Sequence, residues 1–165
     1  MTDELARLDL HDSVLLRLEL SCAGRVRRCV LDVDYYDWEG NGARRRLEPD
    51  APWQWRALRI RFGRLAALEY SMPGVPSRAI EIDRAELGHG LAALEAHERA
   101  MAARYPAYVS PLLDAAGPPV SLSLFTHDWD DTTQGAVRII GADVTLEWDV
   151  FPASRGEQHV PIARG

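Results

Sequence analysis

The sequence predicts a mainly β protein, an antiparallel sandwich or open barrel of about eight strands with one inserted α-helix. Three observations carry that prediction. Apolar residues alternate with polar ones along most of the chain, the two-residue period of half-buried strands. Clusters of Gly, Pro, Asn and Asp interrupt the alternation at short intervals. Only the stretch from Asp83 to Tyr105 changes to a helical period, whereas a parallel α/β sheet needs a helix between most of its strands.

In chain order, Val14, Leu16, Leu18 and Leu20 alternate with Leu15, Arg17 and Glu19, and Cys29, Leu31 and Val33 repeat the pattern. A turn at Ala23-Gly24 pairs Val14 with Val33, Leu16 with Leu31, Leu18 with Cys29 and Glu19 with Arg28. Asn41-Gly42 tolerates positive φ and predicts a second hairpin, with Glu39 opposite Arg44, Asp37 opposite Arg46 and Trp38 across from Arg45. The run Arg44 to Arg46 then reads as a solvated, locally partnered face and not as a DNA-binding element. Trp53 to Phe62 forms the next strand, with Trp55, Leu58, Ile60 and Phe62 inward and Arg59 and Arg61 outward. Another strand after Gly63 buries Leu65, Leu68 and Tyr70 and ends at the prolines Pro73 and Pro76. Arg78 to Asp83 is a short β-leaning segment.

The helix is expected over 83–105. Asp83-Arg-Ala-Glu86 has the form of a capping box, and Leu87, Leu91, Leu94 and Met101 form a stripe that ends near Tyr105-Pro106. Gly88 and Gly90 weaken its first turn. Beyond the loop through Pro111 and Gly117, Val120, Leu122 and Leu124 alternate with serines. Ala136 to Ile140, a turn at Gly141-Ala142, and Val144, Leu146, Trp148 and Val150 read as a closing hairpin. Residues 152–165 read as loop or tail.

A chain of 165 residues that is 47% hydrophobic is expected to fold as one β-rich domain over 1–165 with a real core. Its formal charge of −6 argues against a general phosphate-binding surface, so nucleic acid is not an expected partner and a basic protein is the better match. The start, MTDELARLDLHD, is acidic where a secretory signal needs a basic segment, and no apolar run of about 18 residues occurs. A cytoplasmic chain without a membrane partner is expected. Cys22, at the hairpin tip, and Cys29, inside it, are expected to be free thiols, and they lack zinc-ligand spacing. No cofactor is expected, and the oligomeric state stays open.

The densest chemistry is "LSLFTHDWDDTTQG", Leu122 to Gly135. Closely spaced carboxylates supply hard oxygen ligands, so His127, Asp128, Asp130 and Asp131 can take up a divalent cation. The alternate oxygens, central glycine and closing glutamate of a calcium loop do not follow, however. The favoured reading is a polar turn whose Asp and Thr side chains bond the backbone while Trp129 covers the core edge. His11-Asp12-Ser13 reads as a strand entry, and His89 and His97 have no ligand partner at the adjacent helical position. The common nucleophile, zinc-protease and nucleotide motifs are missing. Trp55 and Trp148 suit a core, whereas Trp38, Trp53 and Trp129 fall at turns or strand ends, where an indole either edges the core or anchors a partner. The binding candidates are therefore Trp38, Trp53, His127, Asp128, Trp129 and Asp130.

The opening Leu8-Asp-Leu-His-Asp-Ser-Val14 with its following strand, the Trp-Arg-Ala-Leu-Arg-Ile-Arg-Phe strand and the closing Asp-Val-Thr-Leu-Glu-Trp strand carry a resemblance. Together they resemble small, mostly uncharacterised bacterial β-rich proteins, some of which look like immunity proteins of contact-dependent toxin systems. The resemblance departs from the chain between Asp83 and Tyr105 and brings no catalytic residues with it. Two expectations follow. The first is a non-enzymatic binding or interaction protein, immunity-protein-like, with a basic protein partner. The second is a metal-assisted hydrolase using His127, Asp128, Asp130 and Asp131. Convergence of His11 or a further carboxylate on that cluster favours the enzyme, and an isolated cluster in solvent favours the binder.

Overall fold

The computed structural model describes residues 2–71, 80–88, 91–112, 114–127 and 134–152. Its strands are β1 (Val14–Ala23), β2 (Val26–Tyr36), β3 (Trp55–Ser71), β4 (Ile80–Gly88), β5 (Val120–His127) and β6 (Gln134–Trp148). The helices are α1 (Thr2–Leu5), α2 (Trp38–Leu47) and α3 (Leu91–Arg104). All six strands join one antiparallel sheet that closes on itself in the order β1-β2-β3-β6-β5-β4. The mainly β, antiparallel expectation is met. The count among the described residues is six strands in place of about eight, and a closed barrel replaces the sandwich or open barrel.

The difference in count has a physical cause in β3 and β6. The breaks expected at Gly63 and at Gly141-Ala142 are bends inside single long strands, and β3 pairs with β6 from Leu58↔Trp148 to Ser71↔Ala136. The first half of β3 also pairs with β2, and the first half of β6 also pairs with β5. Each long strand therefore has a second neighbour only along its first half, and a register shift lies between Leu65 and Ala67 just beyond the end of the β2–β3 pairing. Gly141 permits the close approach there: a Cβ at this position would lie 2.5 Å from the Arg64 carbonyl oxygen. Among the described residues the ring then closes through two register pairs between β1 and β4, Val14↔Glu81 and Leu15↔Ile80.

The first hairpin turns at Gly24-Arg25, one residue later than expected. Gly24 has a φ of +63°, and its lack of a Cβ permits the left-handed backbone of a tight hairpin turn. Leu18 consequently faces Leu31 and Leu20 faces Cys29, a slip of two residues that leaves Leu18, Cys29 and Leu31 on their expected face. Glu19 faces Val30, not Arg28, and makes its ion pair with Arg17. A register shift between Leu15 and Arg17 turns Leu15 inward in place of Leu16. Inside the ring Leu31, Val33, Leu58, Ile60, Phe62, Ile82, Leu122, Leu124, Val137 and Ile139 form the buried core.

Three further expectations are corrected. Residues 83–88 belong to β4, paired with β5 from Glu81↔His127 to Gly88↔Ser121, so the described helix starts at Leu91 and not at Asp83. The apolar residues Ile82, Ala85 and Leu87 meet the core because a register shift between Ile82 and Arg84 changes their phase, which a strict two-residue count does not detect. Tyr70 is exposed, since its end of β3 pairs only with β6 and runs past β2. The hairpin at Asn41-Gly42 is the helix α2. The tail expected from 152 onward lies outside the described residues beyond Pro152. No helix among the described residues is long and apolar enough to cross a membrane.

Candidate functional site

Helix α2 exists because its termini are satisfied locally and its middle is pinned by tertiary contacts. The Asp37 carboxylate accepts a hydrogen bond from the Gly40 N–H at 2.9 Å, and Glu39 in the first turn and Arg44 to Arg46 in the last complement the helix dipole. Asn41 is buried, and its amide completes a two-way bond with the backbone of Gln54. Nδ2 donates to the Gln54 carbonyl at 2.9 Å and Oδ1 accepts the Gln54 N–H at 2.8 Å. Asn41 thus anchors α2 to the segment entering β3, which is the work its side chain does in place of a hairpin turn.

The anchored helix caps one end of the outer face of β2 and β3 with aromatic rings. Tyr36 points outward from β2 opposite Trp55 of β3, yet it is only 2% exposed. Three indoles surround it, with ring centroids 4.8 Å away for Trp38, 4.9 Å for Trp55 and 5.6 Å for Trp53. The Arg45 guanidinium stacks over Trp53 at 4.1 Å from the ring centroid. Trp38 Nε1 donates to the His11 carbonyl at 3.2 Å, and its ring tilts against the His11 imidazole at 6.2 Å. Ser13 Oγ, also buried, accepts the Tyr36 N–H at 3.1 Å.

The arginines of α2 are partnered by carbonyl groups and an indole, not by the expected Glu39 and Asp37. Arg44 donates to Asn41 Oδ1 at 3.3 Å and to the Pro52 carbonyl, and Arg46 donates to the Gly42 carbonyl at 3.2 Å. Burial holds two groups of β2, the Tyr36 phenol and the Cys29 thiol, in their neutral forms at neutral pH. Burial first, and then Asp12, pushes the Tyr36 phenol up to about 12, against a smaller opposing effect of Arg45. Burial pushes the Cys29 thiol up to about 11, so it is a poor nucleophile at neutral pH. Cys22, by contrast, is exposed, and both thiols are free.

Two of the predicted binding residues, Trp38 and Trp53, are thus brought together on Tyr36. His127 is the last residue of β5, where its backbone pairs with Glu81 and Gln134. Glu81 in turn faces Val14, and Ile82 exchanges backbone hydrogen bonds with Asp12 and Ser13. The register therefore sets His127 and the His11-Asp12-Ser13 entry on opposite sides of β4. Asp128, Trp129, Asp130 and Asp131 lie outside the described residues. Among the described residues no group of three or more His, Cys, Asp or Glu is placed to hold a metal ion. His11 and Asp12 form an exposed pair at 3.3 Å, and the entry bonds its own backbone, the Asp9 carboxylate accepting the His11 N–H at 3.1 Å.

Sequence reasoning missed Tyr36, Trp55, Asn41 and Arg45 as members of one cluster. Their signal lay in Asp37 ahead of an acidic first turn and a basic last turn, a helix pattern that brings Trp38 back over Tyr36. Comparison with family models, curated proteins and solved structures finds no match for this chain.

Proposed function

We infer that this chain is a non-enzymatic interaction protein that docks a protein partner on its aromatic end, with Trp38 as the anchor. One observation carries the reading. The Trp38 indole is 40% exposed although it is held by a hydrogen bond to His11 and by edge contact with the buried Tyr36. A ring fixed before binding loses little conformational freedom when a partner covers it, and Trp, Tyr and Arg are the residue types that dominate binding hot spots. In the immunity-like form of this reading the partner is a toxin with a basic surface, matched to a chain of formal charge −6.

The test captures partners of the tagged chain from a lysate of the encoding organism and then measures affinity with the purified partner. Trp38→Ala is expected to weaken binding by roughly 30-fold or more, the effect of a hot-spot truncation, with an unchanged circular dichroism spectrum. Equal affinity for both forms would remove Trp38 as the anchor. The competing proposal is a metal-assisted hydrolase built on His127, Asp128, Asp130 and Asp131; the register, which sets His127 and the His11-Asp12-Ser13 entry on opposite sides of β4, does not bring His11 alongside His127. For that proposal a chelator should lower Tm by roughly 10 °C, and an unchanged Tm counts against it.

A further inference from the structure

A second surface lies on the outer face of the barrel, across β1, β2, β3 and β6. It is a groove of about 610 Å³ lined by five arginines, Arg17, Arg28, Arg59, Arg61 and Arg64, and by the acids Glu19 and Asp143, with Asp32 and Glu147 also paired to two of the arginines. All nineteen basic residues of the chain are arginine, so five of them gathered in one concavity form a concentrated guanidinium array on a chain of formal charge −6.

Most of these guanidinium groups are fixed before any ligand arrives. Arg59 makes a two-pronged contact with Asp32, Nε at 2.6 Å and Nη2 at 2.9 Å, and Asp32 is only 6% exposed. Arg17 approaches the same carboxylate at 3.8 Å and also pairs with Glu19. Arg61 Nε lies 2.7 Å from Glu147, and Arg64 Nε lies 3.2 Å from Asp143. The Asp143 carboxylate also accepts the Ala116 and Gly117 N–H groups at 2.9 and 3.0 Å, so its charge is shared among three donors. Arg28 is exposed and has no carboxylate partner among the described residues. It stands opposite Ser21 on β1, and Gly63 of β3 lines the same groove, so these two small residues leave space beside it.

We propose that this groove binds an acidic peptide segment of a protein partner, its carboxylates taken by Arg28 and by the exposed edges of Arg61 and Arg17. The proposal rests on the reading of the chain as an interaction protein, not on the form of it with a basic toxin, and adds an acidic segment as what this groove recognises. Four strands at their usual spacing make the groove about 15 Å across, the length of four or five extended residues. Carboxylates spaced along a peptide can alternate with the acids Glu19 and Asp143 in the walls. A nucleic-acid backbone fixes its phosphates in the chain itself, where they cannot turn away from those acids as carboxylates on flexible glutamate side chains can.

The full chain is titrated into fluorescein-labelled hexaglutamate, with hexaglutamine and a seven-nucleotide oligothymidylate as probes of the same length class. Saturable binding of hexaglutamate that weakens with added salt is expected, with none to hexaglutamine. Arg28→Gln and Arg61→Gln should each weaken it by about tenfold, the loss of one charge-assisted contact, while Arg84→Gln on β4, outside the groove, leaves it unchanged. No saturation at millimolar hexaglutamate, an equal loss in Arg84→Gln, or tighter binding of the oligothymidylate through the same arginines would each overturn the proposal. Trp38→Ala should retain hexaglutamate binding, so failure of the groove and failure of the aromatic anchor are read in separate variants. Matching melting curves for all variants confirm that the comparison is made between folded chains.

Discussion

The aromatic end and the arginine groove sit on the same outer face of β2 and β3, yet they are built from opposite physics. At the aromatic end an outward-facing residue, Tyr36, is buried because α2 and three indoles cover it. A few strand positions away Arg59 and Arg61 stay at the surface, and their order comes from carboxylates in place of apolar cover. Removing a side chain from the first region opens a cavity or strands a polar atom, which costs stability. Removing one from the rim of the second alters charge with little loss of packing. The lesson is that two regions of one sheet, each proposed here to bind, are distinguishable by what each contributes to the fold.

The largest expected effect is at Tyr36. Tyr36→Ala should destabilise by about 3–5 kcal/mol, the range for truncating a buried aromatic, and lower Tm by on the order of 10 °C in thermal melts. Tyr36→Phe removes only a buried hydroxyl that makes no hydrogen bond among the described residues, so the urea midpoint should hold or rise slightly. A loss above about 1 kcal/mol in Tyr36→Phe would show that the hydroxyl has a partner.

Next comes the ion pair beneath the groove. Arg59→Ala leaves Asp32 nearly buried without its two-pronged partner and should cost about 2–3 kcal/mol, below the full buried-pair range because Arg59 is partly exposed. In an Asp32→Asn, Arg59→Gln double-mutant cycle, a coupling near zero would reduce the pair to a surface contact.

Alkaline pH probes the barrel interior, where Cys29 is 0% exposed. Its folded pKa, about 11, lies above the ordinary 9.0, so the stability linked to the neutral thiol is complete below pH 9 and is lost as pH rises towards 11. The expected loss is on the order of 2–3 kcal/mol, and Cys29→Ala should flatten this part of the pH profile. In the native protein a thiol reagent should modify Cys22 rapidly and Cys29 only on unfolding; two fast thiols would contradict the burial.

Smaller effects separate the cap of α2 from the groove rim. Asp37→Ala removes the helix N-cap and should cost about 1 kcal/mol while raising the mobility of Trp38, read as lower fluorescence anisotropy. Arg28→Gln should change stability by less than about 0.5 kcal/mol, and a larger loss would mean that Arg28 supports the fold.

The sequence alone determined that the protein is antiparallel and mainly β, because two-residue alternation records which face of a strand is buried wherever the strand lies. It also determined the inward faces of β2 and of β3 from Leu58 to Phe62, the outward placement of Arg59 and Arg61, and the free thiols, whereas Trp55, expected inward, lies against Tyr36 on the outer face. Alternation carries no record of continuity, so bends at Gly63 and Gly141 were indistinguishable from turns until β3 and β6 were seen to pair through them. It carries no record of phase changes either, which is why bulges in β1 and β4 moved Leu15 and Leu87 inward. Local chemistry at Asn41-Gly42 permitted both a hairpin and a helix. Only the tertiary structure decided between them, since the amide of Asn41 finds its partner at Gln54, thirteen residues away, and Tyr36 needs the cover that a helix supplies. Closure of the ring, the meeting of Trp38 with Trp53 and the gathering of five arginines are likewise long-range pairings, which no local window of the chain contains.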